Sequence, residues 1–146
     1  MSIPHQATCV AVRGRGVLIE GPPGSGKSSL ALALIDRGAE LVGDDGVLLE
    51  AKASRLLASP HPNIAGLLEV RNVGLLPFTP LARCPVVLVI ALDSSAPRHI
   101  DTPEQAERGG IALPLVRLWP DTPVLALRVE LALARYGLAG PMDKPG

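Results

Sequence analysis

Gly21, Pro22, Pro23, Gly24, Ser25, Gly26, Lys27 and Ser28 spell "GPPGSGKS", which satisfies G-x-x-x-x-G-K-[ST] at every constrained position. In that pattern glycines let backbone N–H groups close around phosphate oxygens and the following helix N-terminus adds a favourable partial charge. The lysine reaches the β- and γ-phosphates, and the final hydroxyl can ligate Mg²⁺. With Ser29 behind them, these residues form the expected nucleotide-binding set. A cradle of this kind holds a nucleotide without naming a reaction, so the carboxylates elsewhere have to decide the chemistry.

Three groups of carboxylates are candidates. Asp44 and Asp45 lie between Gly43 and Gly46. One acid of such a pair can accept the proton of an attacking hydroxyl while the other orients it or a metal ion. "GDDG" is also ordinary turn chemistry, and in an extended chain adjacent side chains alternate, so at most one of the two is expected to face the phosphates. Glu69 is flanked by apolar residues in "LLEVRNVGLL", where an unpaired carboxylate would be costly, so it is expected to have a metal or a partner, Arg71 being the structural alternative. Asp93 ends an apolar run, as a metal-organising acid or as a turn former.

The elements that would position these groups can be read from periodicity. "ATCVAV" (7 to 12) and "GVLIEG" (16 to 21) predict strands joined by a Gly-containing turn, the second feeding the cradle. "SSLALALIDRG" predicts a largely buried helix stopped at Gly38. Strands are expected in "ELVGDDGVLLEAK" and "SRLLAS", then a short helical piece near 63 to 68. "PVVLVIALD" (85 to 93) is a strand buried on both faces. A polar loop with one helical turn is expected over 94 to 110, then a strand in "IALPLV". The amphipathic helix of "TPVLALRVELALARYG" is capped near Gly137, and a disordered tail is expected over 138 to 146. One P-loop domain over 1 to 137 follows, of α/β class with a mixed β-sheet.

Composition narrows the partners. Lys plus Arg and Asp plus Glu are both 14 in 146 residues, so no basic nucleic-acid footprint or polybasic membrane patch is indicated. A single Phe, Trp and Tyr give no stacking platform for bases. Cys9 and Cys84 stand apart without C-x-x-C spacing, which suggests neither a disulfide framework nor a zinc site and fits a cytoplasmic protein.

Together these motifs resemble the catalytic domain of the HPr kinase/phosphorylase family, in its short proteobacterial form. Arg37-Gly38 and "ELVGDD" match the family's stretch from P-loop helix to acid pair, and "LEVRNVGLL" (Leu68 to Leu76) its L-E-[IV]-R-G-x-G-[IL]-[IL] signature. The resemblance covers about residues 5 to 137 and implies an HPr kinase/PEP carboxykinase-like fold. It also implies ATP- and Mg²⁺-dependent phosphorylation of a serine on HPr, a phosphocarrier of the phosphotransferase system, by a homo-oligomer, hexameric in the family.

The resemblance gives Asp45 the serine proton with Asp44 assisting, makes Ser28 and Glu69 the Mg²⁺ ligands, and makes Arg108 and His5 catalytic beside Lys27 and Arg71. Asn72 replaces the signature's first glycine, a change that φ > 0 would accommodate in Asn. The family's P-x-x-x-G-R segment, tied to phosphorolysis, stands as "PLVRLW" with Leu118 and Trp119 in place of Gly and Arg. Two rival readings remain open at this level: a small-molecule or nucleotide kinase organised by Asp93, and a nucleotide-binding regulatory module without catalysis.

Overall fold

The computed structural model describes residues 1–139. The β-branched run Cys84–Leu92 (β9) forms the spine of a nine-stranded mixed sheet. On one side it pairs in parallel with β3 (Arg15–Glu20). On the other its first residues pair antiparallel with β6 (Arg55–Pro60) and its last in parallel with β11 (Ile111–Leu118). Beyond β3 lie β2 (Thr8–Val12) and β4 (Glu40–Gly43), and beyond β6 lie β5 (Val47–Lys52) and β1 (Ile3–His5). β4 and β5 sit near opposite ends of this strand order, yet only residues 44–46 join them. The sheet therefore curls until its ends meet at the Asp44-Asp45 turn.

Strand alternation sorts apolar side chains onto two faces. Val10, Val17, Ile19, Leu88 and Ile90 face a layer made by helix α1 (Lys27–Asp36) and helix α2 (Leu125–Tyr136). Cys9, Leu18, Val47, Leu56, Val89 and Leu113 fill the inside of the curl. The sides of β9 change parity at one bulge: Gly16 pairs with Val86 but Val17 with Leu88. A bulge leaves a residue outside the ladder, and here the Val87 carbonyl accepts a hydrogen bond from Leu138 N at 3.0 Å. Arg15 Nη2 donates to the Leu138 carbonyl at 2.7 Å, so the start of the expected tail is docked; residues 140–146 lie outside the described residues.

Most expected elements are present, and the departures have local causes. The helical piece near 63–68 is instead a series of turns over 62–66 followed by β7 (Leu67–Val70), which pairs with β8 (Gly74–Pro77) as a separate hairpin. Leu68 is buried while Glu69 is exposed, a period of two too short to stand out in sequence. The segment expected as loop with a helical turn contains strand β10 (Glu104–Arg108), paired antiparallel with β11. It has only that one neighbour, so its polar composition is that of a solvated edge. Gly137 caps α2 as expected, in an extended rather than a left-handed conformation (φ −62°, ψ 144°).

Cys9 and Cys84 are free and buried. A hydrogen bond with Cys84, burial and the Cys84 charge push the Cys9 thiol well up, so the Cys9 sulfur is not a ready nucleophile. No described helix is long and apolar enough to cross a membrane.

Gly16 leaves room for a close approach of β3 to the start of β9. A Cβ there would stand 2.7 Å from the Pro85 carbonyl oxygen and 2.8 Å from Cys84 Sγ, and backbone cannot yield as a side chain does. Gly16→Ala is expected to lower stability by about 1–3 kcal/mol, read from the urea unfolding midpoint; an unchanged midpoint would contradict this packing.

Candidate active site

β3 delivers the chain to the P-loop, and the loop hands it to α1. Glycine at 21 lets the loop sit close on the end of β9: a Cβ would lie 2.6 Å from Ser25 Oγ and 3.2 Å from Leu92 Cβ. Ser25 N donates to the Pro22 carbonyl at 3.1 Å, tightening the turn. Gly24 and Gly26 have φ of 79° and 99° with open space where a Cβ would be. Helix α1 starts from Gly26 with no side-chain cap and no acid in its first turn, so its first N–H groups are available to an anion. Lys27 Nζ arches back to the carbonyls of Gly21 (2.8 Å) and Pro22 (3.1 Å). This cradle fits nucleotide phosphates.

A cleft of about 580 Å³ opens beside the loop, lined by Lys27, Ser28, Asp44, Asp45, Glu69 and Arg71 among others. Asp44 is buried, at 7% exposure, and both of its oxygens accept hydrogen bonds. Oδ1 accepts from Ser28 Oγ at 2.8 Å and Thr8 Oγ1 at 3.0 Å, and Oδ2 accepts from Glu69 N at 3.2 Å. Asp45 is exposed and left-handed, with φ 60°. That conformation cancels the expected alternation: both carboxylates line the same cleft, one buried against Ser28 and the other open to it.

Glu69 is exposed at the cleft rather than held among apolar groups, because β7 alternation puts its neighbours Leu68 and Val70 against the core. No ion pair joins it to Arg71 among the described residues, although both line the cleft. Asn72, in the hairpin turn, has φ 69°, the conformation expected of it. Ser28, Asp44, Asp45 and Glu69 supply hard oxygen donors. No group of three or more His, Cys, Asp or Glu suited to a metal occurs among the described residues, an arrangement compatible with Mg²⁺, which takes one or two carboxylates together with substrate phosphates.

A second cleft, of about 650 Å³, lies against the P-loop residues Gly21 to Ser25 and is lined by Glu20, Asp93, Arg108 and Arg117. Arg108, on β10, binds Glu20 through both ends: Nε to Oε2 at 2.9 Å and Nη2 to Oε1 at 2.7 Å. His5 Nε2 is 2.8 Å from Glu20 Oε2, so the N-terminal histidine is not free in solvent. Burial pushes the Glu20 carboxyl up, but hydrogen bonds and charge from Arg108 and His5 outweigh it and hold the group below its ordinary range. The hydrogen bond to Glu20 raises Arg108 in turn.

Asp93 forms a turn, accepting from Ser95 N at 2.8 Å, and meets Arg117 Nη1 at 3.4 Å. Arg117 is otherwise held by Glu104 at 2.7 Å. Asp93 thus lines the second cleft and not the one that holds Asp44 and Asp45.

Sequence reasoning missed Thr8 and Glu20. Thr8 is the lone polar residue of β2 and Glu20 an acid closing the apolar run Val17–Ile19, and that was the available signal.

The model of the HPr Serine kinase C-terminal domain matches residues 2–81. HPr kinase/phosphorylase of Mycoplasma mycoides subsp. mycoides is 31% identical over 108 residues, covering 69% of this chain and 34% of that protein. The Bordetella pertussis protein of the same name is 52% identical over 66 residues, 44% of this chain and 21% of its own length. The chain thus spans about a third or less of these curated relatives. The HPr(Ser) kinase/phosphatase structure from Coxiella burnetii superposes with a TM-score of 0.79 at 26% identity, covering 90% of this chain and 94% of that one, and has the same curled mixed α/β fold. By the domain match over more than half its length, supported by this shared fold, the chain belongs to the HPr serine kinase family.

Proposed function

We propose that this domain phosphorylates a serine of an HPr-like phosphocarrier, using ATP and Mg²⁺, in the cytoplasm. The observation that carries the reading is the placement of Asp44 and Asp45 in one cleft with the P-loop: Asp44 hydrogen-bonded to Ser28, Asp45 free beside it. Membership of the family supports HPr as the substrate class. Self-association belongs to the same reading and has support in the exposed Leu127 and Leu131 on α2.

The P-loop N–H groups and Lys27 bind and orient the phosphates. Ser28 and Glu69 would hold Mg²⁺, with Asp44 fixing the Ser28 hydroxyl. Bound MgATP supplies the transferable phosphoryl group and the cationic charge that offsets its oxygens. Asp45 takes the proton of the incoming serine hydroxyl, a role that needs an accessible carboxylate rather than a buried one. Arg108 and Arg71 bring positive charge to the two sides of the loop, where charge develops on transfer.

Incubation with ATP, Mg²⁺ and HPr is expected to yield phosphoserine, detected by mass spectrometry. Asp45→Asn should reduce transfer by about a hundredfold or more while ATP binding, followed by calorimetry, persists. A variant Asp93→Asn that stops turnover while Asp45→Asn does not would instead favour the Asp93-organised kinase.

Phosphorolysis is expected to be much slower than the forward reaction. Trp119 stands where the family has an arginine and donates its indole N–H to the Ala96 carbonyl at 2.7 Å, and Arg117 is tied to Glu104 and Asp93. Phosphorylated HPr with inorganic phosphate should therefore give little pyrophosphate; formation at the forward rate would refute this part of the reading.

A further inference from the structure

Glu20 closes β3 immediately before the P-loop. Its side chain is only 20% exposed, and it joins its own strand to two others through its carboxylate. β10 pairs only with β11 and β1 only with β5; both are edge strands, yet Arg108 from one and His5 from the other converge on a single carboxylate.

We propose that Glu20 is a positioning residue, whose carboxylate fixes the Arg108 guanidinium and the His5 imidazole at the mouth of the P-loop. The proposal rests on the kinase reading above and concerns how its charged groups are held. Glu20 occupies Arg108 Nε and Nη2, and the Glu107 carbonyl accepts from Nη1 at 2.9 Å. Three of the five N–H donors of a guanidinium are then engaged, which fixes its plane and leaves two for phosphoryl oxygens in the cleft that it lines. The same fork geometry makes lysine a poor replacement, since an ammonium is a point charge without a defined plane.

An ion pair needed only for folding would show itself in stability; a positioning pair shows itself in turnover. Glu20→Gln keeps the side-chain size but loses the charge and one accepting oxygen. It is expected to lower kcat for HPr phosphorylation by about a hundredfold, as a small displacement of a transition-state group does, with ATP affinity and melting temperature little changed. Adding Glu20→Gln to Arg108→Ala should cost far less than the product of the two single losses, the remainder being the share that acts through His5.

In parallel, phenylglyoxal modification of Arg108 followed by peptide mass mapping should be slow in the wild type and fast in Glu20→Gln. With an active wild type, an unchanged kcat, losses that multiply, or a kcat decrease that merely tracks melting temperature overturns the proposal. Equal labelling rates overturn it whatever the kinetics. A wild type that transfers nothing to HPr overturns the kinase reading instead, and labelling then decides the positioning role alone: faster modification in Glu20→Gln supports it.

Discussion

A carboxylate removed from water must find donors, and Asp44 finds them on three separate elements. Thr8 comes from β2, Ser28 from α1 and the Glu69 amide from β7. Losing any one of them would leave a buried acceptor less well satisfied. Closure of the curled sheet, seating of α1 against it and docking of the β7–β8 hairpin are thereby joined at one point. That point also lines the cleft beside the P-loop, so the group that ties the fold together is the one that orients the Ser28 hydroxyl.

The neighbouring residue shows how a local conformation serves the same end. Two adjacent acids in a strand would face opposite ways. With Asp45 left-handed, at a cost tolerated by Asp better than by most residues, one acid is buried and tethered while the other stays accessible. The pair can then divide structural and proton-accepting work within one cleft. Glycines at 43 and 46 allow the turn: a Cβ on Gly43 would sit 2.6 Å from the Gly46 carbonyl.

Features encoded by neighbouring residues could be read before any coordinates. The P-loop, the helix behind it, the buried strand β9 and the Asp44-Asp45 turn each carry their signal within a few positions, and Asn72 declared its φ through residue type. What escaped depended on distant partners. β10 reads as loop because a singly paired edge strand can be polar along its length. Glu69 was expected to suffer among apolar neighbours, whereas strand alternation sends those neighbours inward and the acid outward. Thr8 and Glu20 matter through contacts 36 and 88 residues away in sequence, and no periodicity encodes such pairs.

The single extra residue at Val87 acts as a phase shift. Ahead of it the even-numbered side chains of β9, Cys84 and Val86, face the inside of the curl; after it the odd-numbered Val89 does, while Leu88, Ile90 and Leu92 turn to the helices. Deleting Val87 itself would leave Leu88 to Leu92 on their present faces in plain alternation, whereas a one-residue deletion further along β9 would invert the side chains beyond it and carry Leu92 away from its place beneath Gly21. The seating of the P-loop thus depends on the parity of β9 beyond the bulge, while the bulge serves a different end, turning the Val87 carbonyl to Leu138 N.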